Sequence, residues 1–69
     1  MKTQINKVAG YRVMLGLTQR HIATKLGISS QSYSNKENGR TSFNDKEKLR
    51  LKRIFSEIDS SLTIDDIFF

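Results

Sequence analysis

Cysteine, proline and tryptophan are absent from this chain of 69 residues, and glycine occurs only four times. Without cysteine there is neither a disulfide framework nor a thiolate metal site, which is consistent with a reducing cytosol. With no proline, few glycines and no internal repeat or low-complexity tract, linkers and disordered tails have no support beyond the first few residues. No run approaches the roughly 18 apolar residues that cross a bilayer, and the opening MKTQINK has no apolar core of a signal peptide. The expectation is therefore a cytoplasmic protein without a membrane partner. Acidic residues are scarce in one half only: residues 1–41 carry seven basic side chains against a single acid, Glu37, whereas residues 42–69 carry five against six. Overall the charge is +5 and the pI about 9.9. A basic half of this kind is the footprint of a phosphate-binding surface, although small basic proteins are common and charge alone decides little.

The length allows one domain, residues 1–69. A chain this small buries only about 60% of its extended surface, so dimerisation would help its stability. The segment that organises it is TQRHIATKLGISSQSYSNKENG, residues 18–39. Thr18 can cap a helix in which Ile22, Ala23 and Leu26 share an apolar face, and Gly27 ends it by entering the left-handed conformation without a Cβ clash. Ile28 tucks inward, and Ser29 caps a second helix ending at Asn38-Gly39. In that second helix only Tyr33 is strongly apolar. Ser30, Gln31, Ser32, Ser34, Asn35 and Lys36 cover the rest with short hydrogen-bonding groups, which is too little apolar surface for a core helix. Such side chains can read base edges in a DNA major groove: the amides of Gln31 and Asn35 can pair with adenine, and serine hydroxyls suit several bases.

Gln19, Ala23, Gly27, Ile28, Tyr33 and the run Glu37-Asn38-Gly39-Arg40 resemble the helix-turn-helix of the lambda-repressor-like (Cro/C1-type, XRE) family of bacterial and phage regulators, over about residues 5–43. The resemblance implies an all-α fold, a compact bundle of four to five short helices with the helix-turn-helix at residues 18–39. It also implies sites. Ser30, Gln31, Ser34 and Asn35 fall at base-facing positions. Thr18 and Gln19, at the start of a helix where unpaired N–H groups form an anion site, match phosphate contacts, and the resemblance implies that Gln19 also braces the second helix; Asn38, Arg40 and Ser42 lie in the following loop, where family members grip the DNA backbone. Ser32 is open between a phosphate contact and plain solvation. Lys36 stands where many members are apolar, so that side is either less packed or gains a phosphate contact. An Arg12–Glu37 salt bridge is carried over in the same way, with two readings: Arg12 holds a guanidinium edge near a phosphate, or the pair only ties two helices together.

In the rest of the chain, Ile5, Val8, Ala9, Arg12 and Leu15 mark one face of a first helix over residues 5–15, stopped by Gly16. Phe43 reads as a core plug. Asn44 and Glu47 have the N-x-x-E spacing of a capping box for a fourth helix whose stripe is Leu51, Ile54, Phe55 and Ile58, and Lys46 near its start is a candidate phosphate contact. In the tail, residues 60–69, Thr63 can cap a last short helix with Asp66. Ile64, Ile67, Phe68 and Phe69 are too apolar to stand free; they close the core or a two-fold dimer interface.

An enzyme reading has little behind it. Asp65 and Asp66 point apart on a helix, His21 has no second ligand nearby, and no Ser/His/Asp set or Gly-rich phosphate loop is present. No catalytic residue, metal, cofactor or small-molecule effector is expected. The expected function is sequence-specific binding of double-stranded DNA by a dimeric regulator, resembling a phage Cro/C1-like repressor that occludes a promoter at a palindromic operator. The alternative is a protein-interaction module on the same fold, such as an antitoxin or anti-repressor partner.

Overall fold

Every helix starts at a residue whose side chain can accept from a backbone N–H left free by the first turn. The computed structural model describes residues 6–68 and places five helices among them: α1 Lys7–Met14, α2 Gln19–Leu26, α3 Ser30–Glu37, α4 Asp45–Phe55 and α5 Ile64–Phe68. Asn6 accepts from the Ala9 amide at 3.1 Å, Thr18 from His21 at 3.1 Å, Ser29 from Ser32 at 3.0 Å, Asn44 from Glu47 at 2.8 Å and Thr63 from Asp66 at 3.1 Å. Asn44 and Glu47 complete the expected capping box, with the Asn44 N–H donating back to Glu47 Oε1 at 2.9 Å. The turn between α2 and α3 depends on Gly27, whose φ of 73° disfavours any residue with a Cβ.

The core draws on every helix. Ile22, Tyr33, Leu51 and Phe55 are fully enclosed, and Val8, Ala23, Leu26, Phe43, Leu62 and Ile67 complete the buried set. α3 packs chiefly on α2, while α5 packs on α1 and α4. Three ring contacts connect these layers: Tyr11 with Phe55 (centroids 5.3 Å), Tyr33 with Phe43 (5.9 Å) and Phe43 with Phe68 (5.7 Å).

Two boundaries differ from expectation. α1 begins at Lys7 because Asn6 is its cap, and Ile5, expected on its inner face, lies outside the described residues. α4 ends at Phe55, so Ile58, expected on its apolar stripe, lies half-buried in the turn that follows. There the Ser56 hydroxyl donates back to the Lys52 carbonyl at 2.7 Å, and the Ile58 amide turns to the Phe55 carbonyl at 2.9 Å. In the tail, Leu62 and Ile67 are buried in the chain's own core, Ile64 is half-buried, and half-buried Phe68 lies under the Lys48 ammonium at 5.6 Å. Core closure is thus what Ile67 and Phe68 do within one chain; Phe69 lies outside the described residues.

Candidate nucleic-acid interface

The outward face of α3 consists of polar groups because its sequence supplies little else. Ser30 and Gln31 are exposed, Ser32, Ser34 and Asn35 half-buried, and Tyr33 turns its ring into the core at 0% exposure. On that outer face Gln31 Nε2 donates to Asn35 Oδ1 at 3.1 Å. The contact aligns two amides one turn apart and leaves the Gln31 oxygen as an acceptor and the Asn35 nitrogen as a donor, the complementary pair that an adenine edge requires. Below them Asn38 Nδ2 donates to Ser34 Oγ at 3.3 Å, and the Arg40 amide donates to the Asn35 carbonyl at 2.8 Å. The loop carrying Asn38, Arg40 and Ser42 is therefore folded back onto the helix whose face bears the four base-facing candidates.

The last turn of α3 is held from behind by one carboxylate. Glu37, 8% exposed, accepts four hydrogen bonds: from Arg12 Nε at 2.8 Å and the Tyr33 hydroxyl at 2.5 Å on Oε2, and from Gln19 Nε2 at 2.9 Å and Arg12 Nη2 at 3.3 Å on Oε1. Its backbone carbonyl accepts a further bond from Asn6 Nδ2 at 2.9 Å. The expected Arg12–Glu37 ion pair is present and is the centre of a larger network that joins α1, α2 and α3. Burial works against the Glu37 charge, but the bonds from Arg12, Tyr33 and Gln19 outweigh it and hold the carboxyl below its ordinary range. The Glu37 bond raises Arg12 in turn, against its own desolvation, and Tyr33 is pushed well above the usual phenol range by burial and then by donation to Glu37.

This network settles how several candidate phosphate contacts are placed. Arg12 donates inside the protein from all three of its nitrogens, Nη1 reaching the Leu17 carbonyl at 2.8 Å. The pair ties α1 to α3 in this geometry, and the guanidinium side chain keeps 15% of its surface exposed. Gln19 is half-buried and braces α3 through Glu37, while Thr18 beside it is exposed. Asn38, Arg40, Ser42 and Lys46 are exposed as well. Lys36 departs from this set: its ammonium is directed to Glu47, 2.7 Å from each carboxylate oxygen, with the two side chains 16% and 7% exposed. Glu47 is held ionised below its ordinary range against the cost of its burial, by Lys36 and then by the Asn44 amide.

Three structural roles went unread in the sequence. Asn6 both caps α1 and grips the end of α3; its position just before an apolar helical repeat is the signal for the first role, and nothing in the local sequence marks the second. Lys36 and Glu47, eleven residues apart across a loop, carry no local pairing signal either. His21 accepts from the Thr18 amide in a long 3.5 Å contact that completes the α2 capping box. Among the described residues no group of His, Asp or Glu is arranged to hold a metal ion, and no helix is long and apolar enough to cross a membrane.

A family model described as Helix-turn-helix, of the lambda-repressor-like type, matches residues 8–63. It reaches past the stretch ending near residue 43 and takes in all of α4. No curated protein and no solved structure matches the chain.

Proposed function

The chain belongs to the lambda-repressor-like helix-turn-helix family, a family of DNA-binding regulators, and on that premise we propose that it binds double-stranded DNA sequence-specifically as a homodimer and represses transcription by occluding a promoter, as a phage or prophage regulator in the bacterial cytoplasm. The observation that carries this reading is the outer face of α3: four hydrogen-bonding side chains, Ser30, Gln31, Ser34 and Asn35, on a helix whose opposite side is fixed by Tyr33 and Glu37. In this reading α3 enters the major groove and those four side chains meet base edges. Thr18, Gln19, Ser32, Asn38, Arg40, Ser42 and Lys46 hold phosphates on either side, which sets the register without reading sequence. Arg12 and Lys36 act inside the protein.

Size leaves room for the dimer. The longest extent of the chain is 33 Å, close to the ~34 Å that separates the centres of two half-sites one helical turn apart, so one copy spans a single half-site. Half-buried Ile64 and Phe68, with Phe69 next in sequence, are the candidates for the two-fold contact. The mechanism needs no cofactor or effector.

A second reading, a protein-interaction module, is favoured by Val13 and Met14, which stand 64% and 67% exposed side by side at the end of α1. One experiment separates the two. Purified protein is titrated with DNA from just upstream of its own gene and with random DNA of equal length, at several salt concentrations. The regulator reading expects a large preference for the first DNA, a footprint containing two half-sites, and a logarithmic salt slope near −0.9 per phosphate contact. Weak, indiscriminate binding together with capture of a protein partner would replace it with the second reading.

A further inference from the structure

α3 packs broadly on α2, but its direct contact with α4 is slight. Between α3 and α4 runs the loop of residues 38–44, which presents Asn38, Arg40 and Ser42. The loop is tied at its first end to α3 through the Arg40 amide and the Asn35 carbonyl at 2.8 Å. At its second end the capping box of Asn44 and Glu47 fixes how the chain enters α4. Near the second end the Phe43 ring packs on Tyr33 of α3 at 5.9 Å, and the ion pair of Lys36 with Glu47 joins the last turn of α3 to α4 itself. It is symmetric, 2.7 Å to each oxygen, it is largely shielded from water, and Glu47 Oε1 takes the Lys36 ammonium and the Asn44 amide together.

We infer that Lys36 is a positioning residue: through Glu47 it staples the loop of residues 38–44 shut, and so holds the loop's phosphate-gripping groups and the start of α4 in fixed register with the outer face of α3. The inference rests on the DNA-binding reading above. A staple of this kind acts by preorganisation. Base contacts and phosphate contacts can be made together only when both surfaces already have the right spacing, and a loop left free to move must be ordered on binding. A bidentate pair shielded from solvent suits that task better than an exposed one, which water and salt would loosen. The charge of Lys36 is then directed away from DNA, so its part in binding is geometric.

The probe is a duplex selected by the wild-type protein from a random-sequence pool, compared with unselected DNA of the same length. Lys36→Met, which keeps the aliphatic stem and removes the ammonium, is expected to lower the preference for the selected duplex by about tenfold. The salt slope stays at the wild-type value. Lys36→Arg, able to meet both oxygens of Glu47, retains the wild-type preference, and Glu47→Gln, which keeps an acceptor for the Asn44 amide, loses it as Lys36→Met does. Nitrogen-15 relaxation on free protein gives a readout that needs no DNA: amides of residues 40–44 gain motion in Lys36→Met and Glu47→Gln but not in Lys36→Arg. A salt slope reduced by about 0.9 in Lys36→Met would make Lys36 a direct phosphate contact and overturn the staple. So would an unchanged preference, or unchanged relaxation of the loop. If selection from the pool yields no preferred sequence, the DNA-binding reading has failed, and the relaxation data alone decide whether the staple exists. Should Lys36→Met not fold, Lys36→Arg and Glu47→Gln carry the same comparison.

Discussion

Around α3 the fold is fastened by charged and polar side chains meeting Glu37, whereas around α4 and α5 it is fastened by Leu51, Phe55, Leu62 and Ile67, which offer nothing but shape and apolar surface. The two regions solve different problems. An apolar contact resists separation but tolerates a small slide, because dispersion and burial have little direction. Four hydrogen bonds converging on one carboxylate tolerate much less, because each has its own required distance and angle. The directional fastening lies behind α3, the helix that in the proposed reading presents side chains to bases. The non-directional fastening lies where the chain only has to close.

The largest expected effect comes from removing the hub. Glu37→Ala leaves the Arg12 guanidinium, whose side chain is only 15% exposed, without its countercharge, and is expected to destabilise the domain by about 3–5 kcal/mol. Urea unfolding checks this; a loss under about 1 kcal/mol would erase the contrast between the two regions. Leu51→Ala, in the apolar half, is expected to cost about 2–5 kcal/mol by cavity formation. Its penalty should be the same at pH 5 and pH 7, since the substitution removes only apolar groups.

The contrast also shows in acid. Glu37 and Glu47 have folded pKa values below their ordinary ones, so the unfolded chain binds their protons at higher pH than the folded chain does. The stability they contribute is fully present above the unfolded glutamate value of about 4.3 and is lost as pH falls through the lower folded values. Thermal unfolding from pH 7 to pH 2.5 should show melting temperature dropping below about pH 4.3, with a smaller drop in Glu47→Gln. A flat profile in the wild type would mean that neither carboxylate is held ionised. The smallest effect expected is that of Asn44→Ala, which removes one half of the α4 capping box and should cost about 1 kcal/mol in the same assay.

Much of this was legible in the sequence because the deciding interactions are local. Thr18, Ser29, Asn44 and Thr63 each announce a helix start by their spacing to the amide they bind, and Gly27 announces a stop. The apolar repeats of Ile22, Ala23 and Leu26, and of Leu51, Ile54 and Phe55, identify the core faces from one element at a time. The Arg12–Glu37 pair came from resemblance to the family and is present, but its surroundings were not legible. Gln19 was expected to brace α3, but Asn6 and Tyr33 approach Glu37 from another helix or another turn, and the convergence of all three exists only once the chain is folded. Lys36 shows the same limit from the other side. Its charge sits in a basic half and beside the candidate base-facing residues, so local context suggested a phosphate, while the partner it has in the fold, Glu47, lies across a loop and on the next helix.

The central claim is that the outer face of α3 reads bases while the loop and the helix starts hold phosphates. It is tested most directly by measuring Gln31→Ala and Lys46→Ala side by side, each against a selected duplex and a random duplex over a range of salt. Gln31→Ala should lose about 1–3 kcal/mol on the selected duplex, almost nothing on the random one, and keep the wild-type salt slope. Lys46→Ala should weaken both alike and reduce the slope by about 0.9. Equal losses on the two duplexes for Gln31→Ala would contradict the claim and remove that face from base recognition.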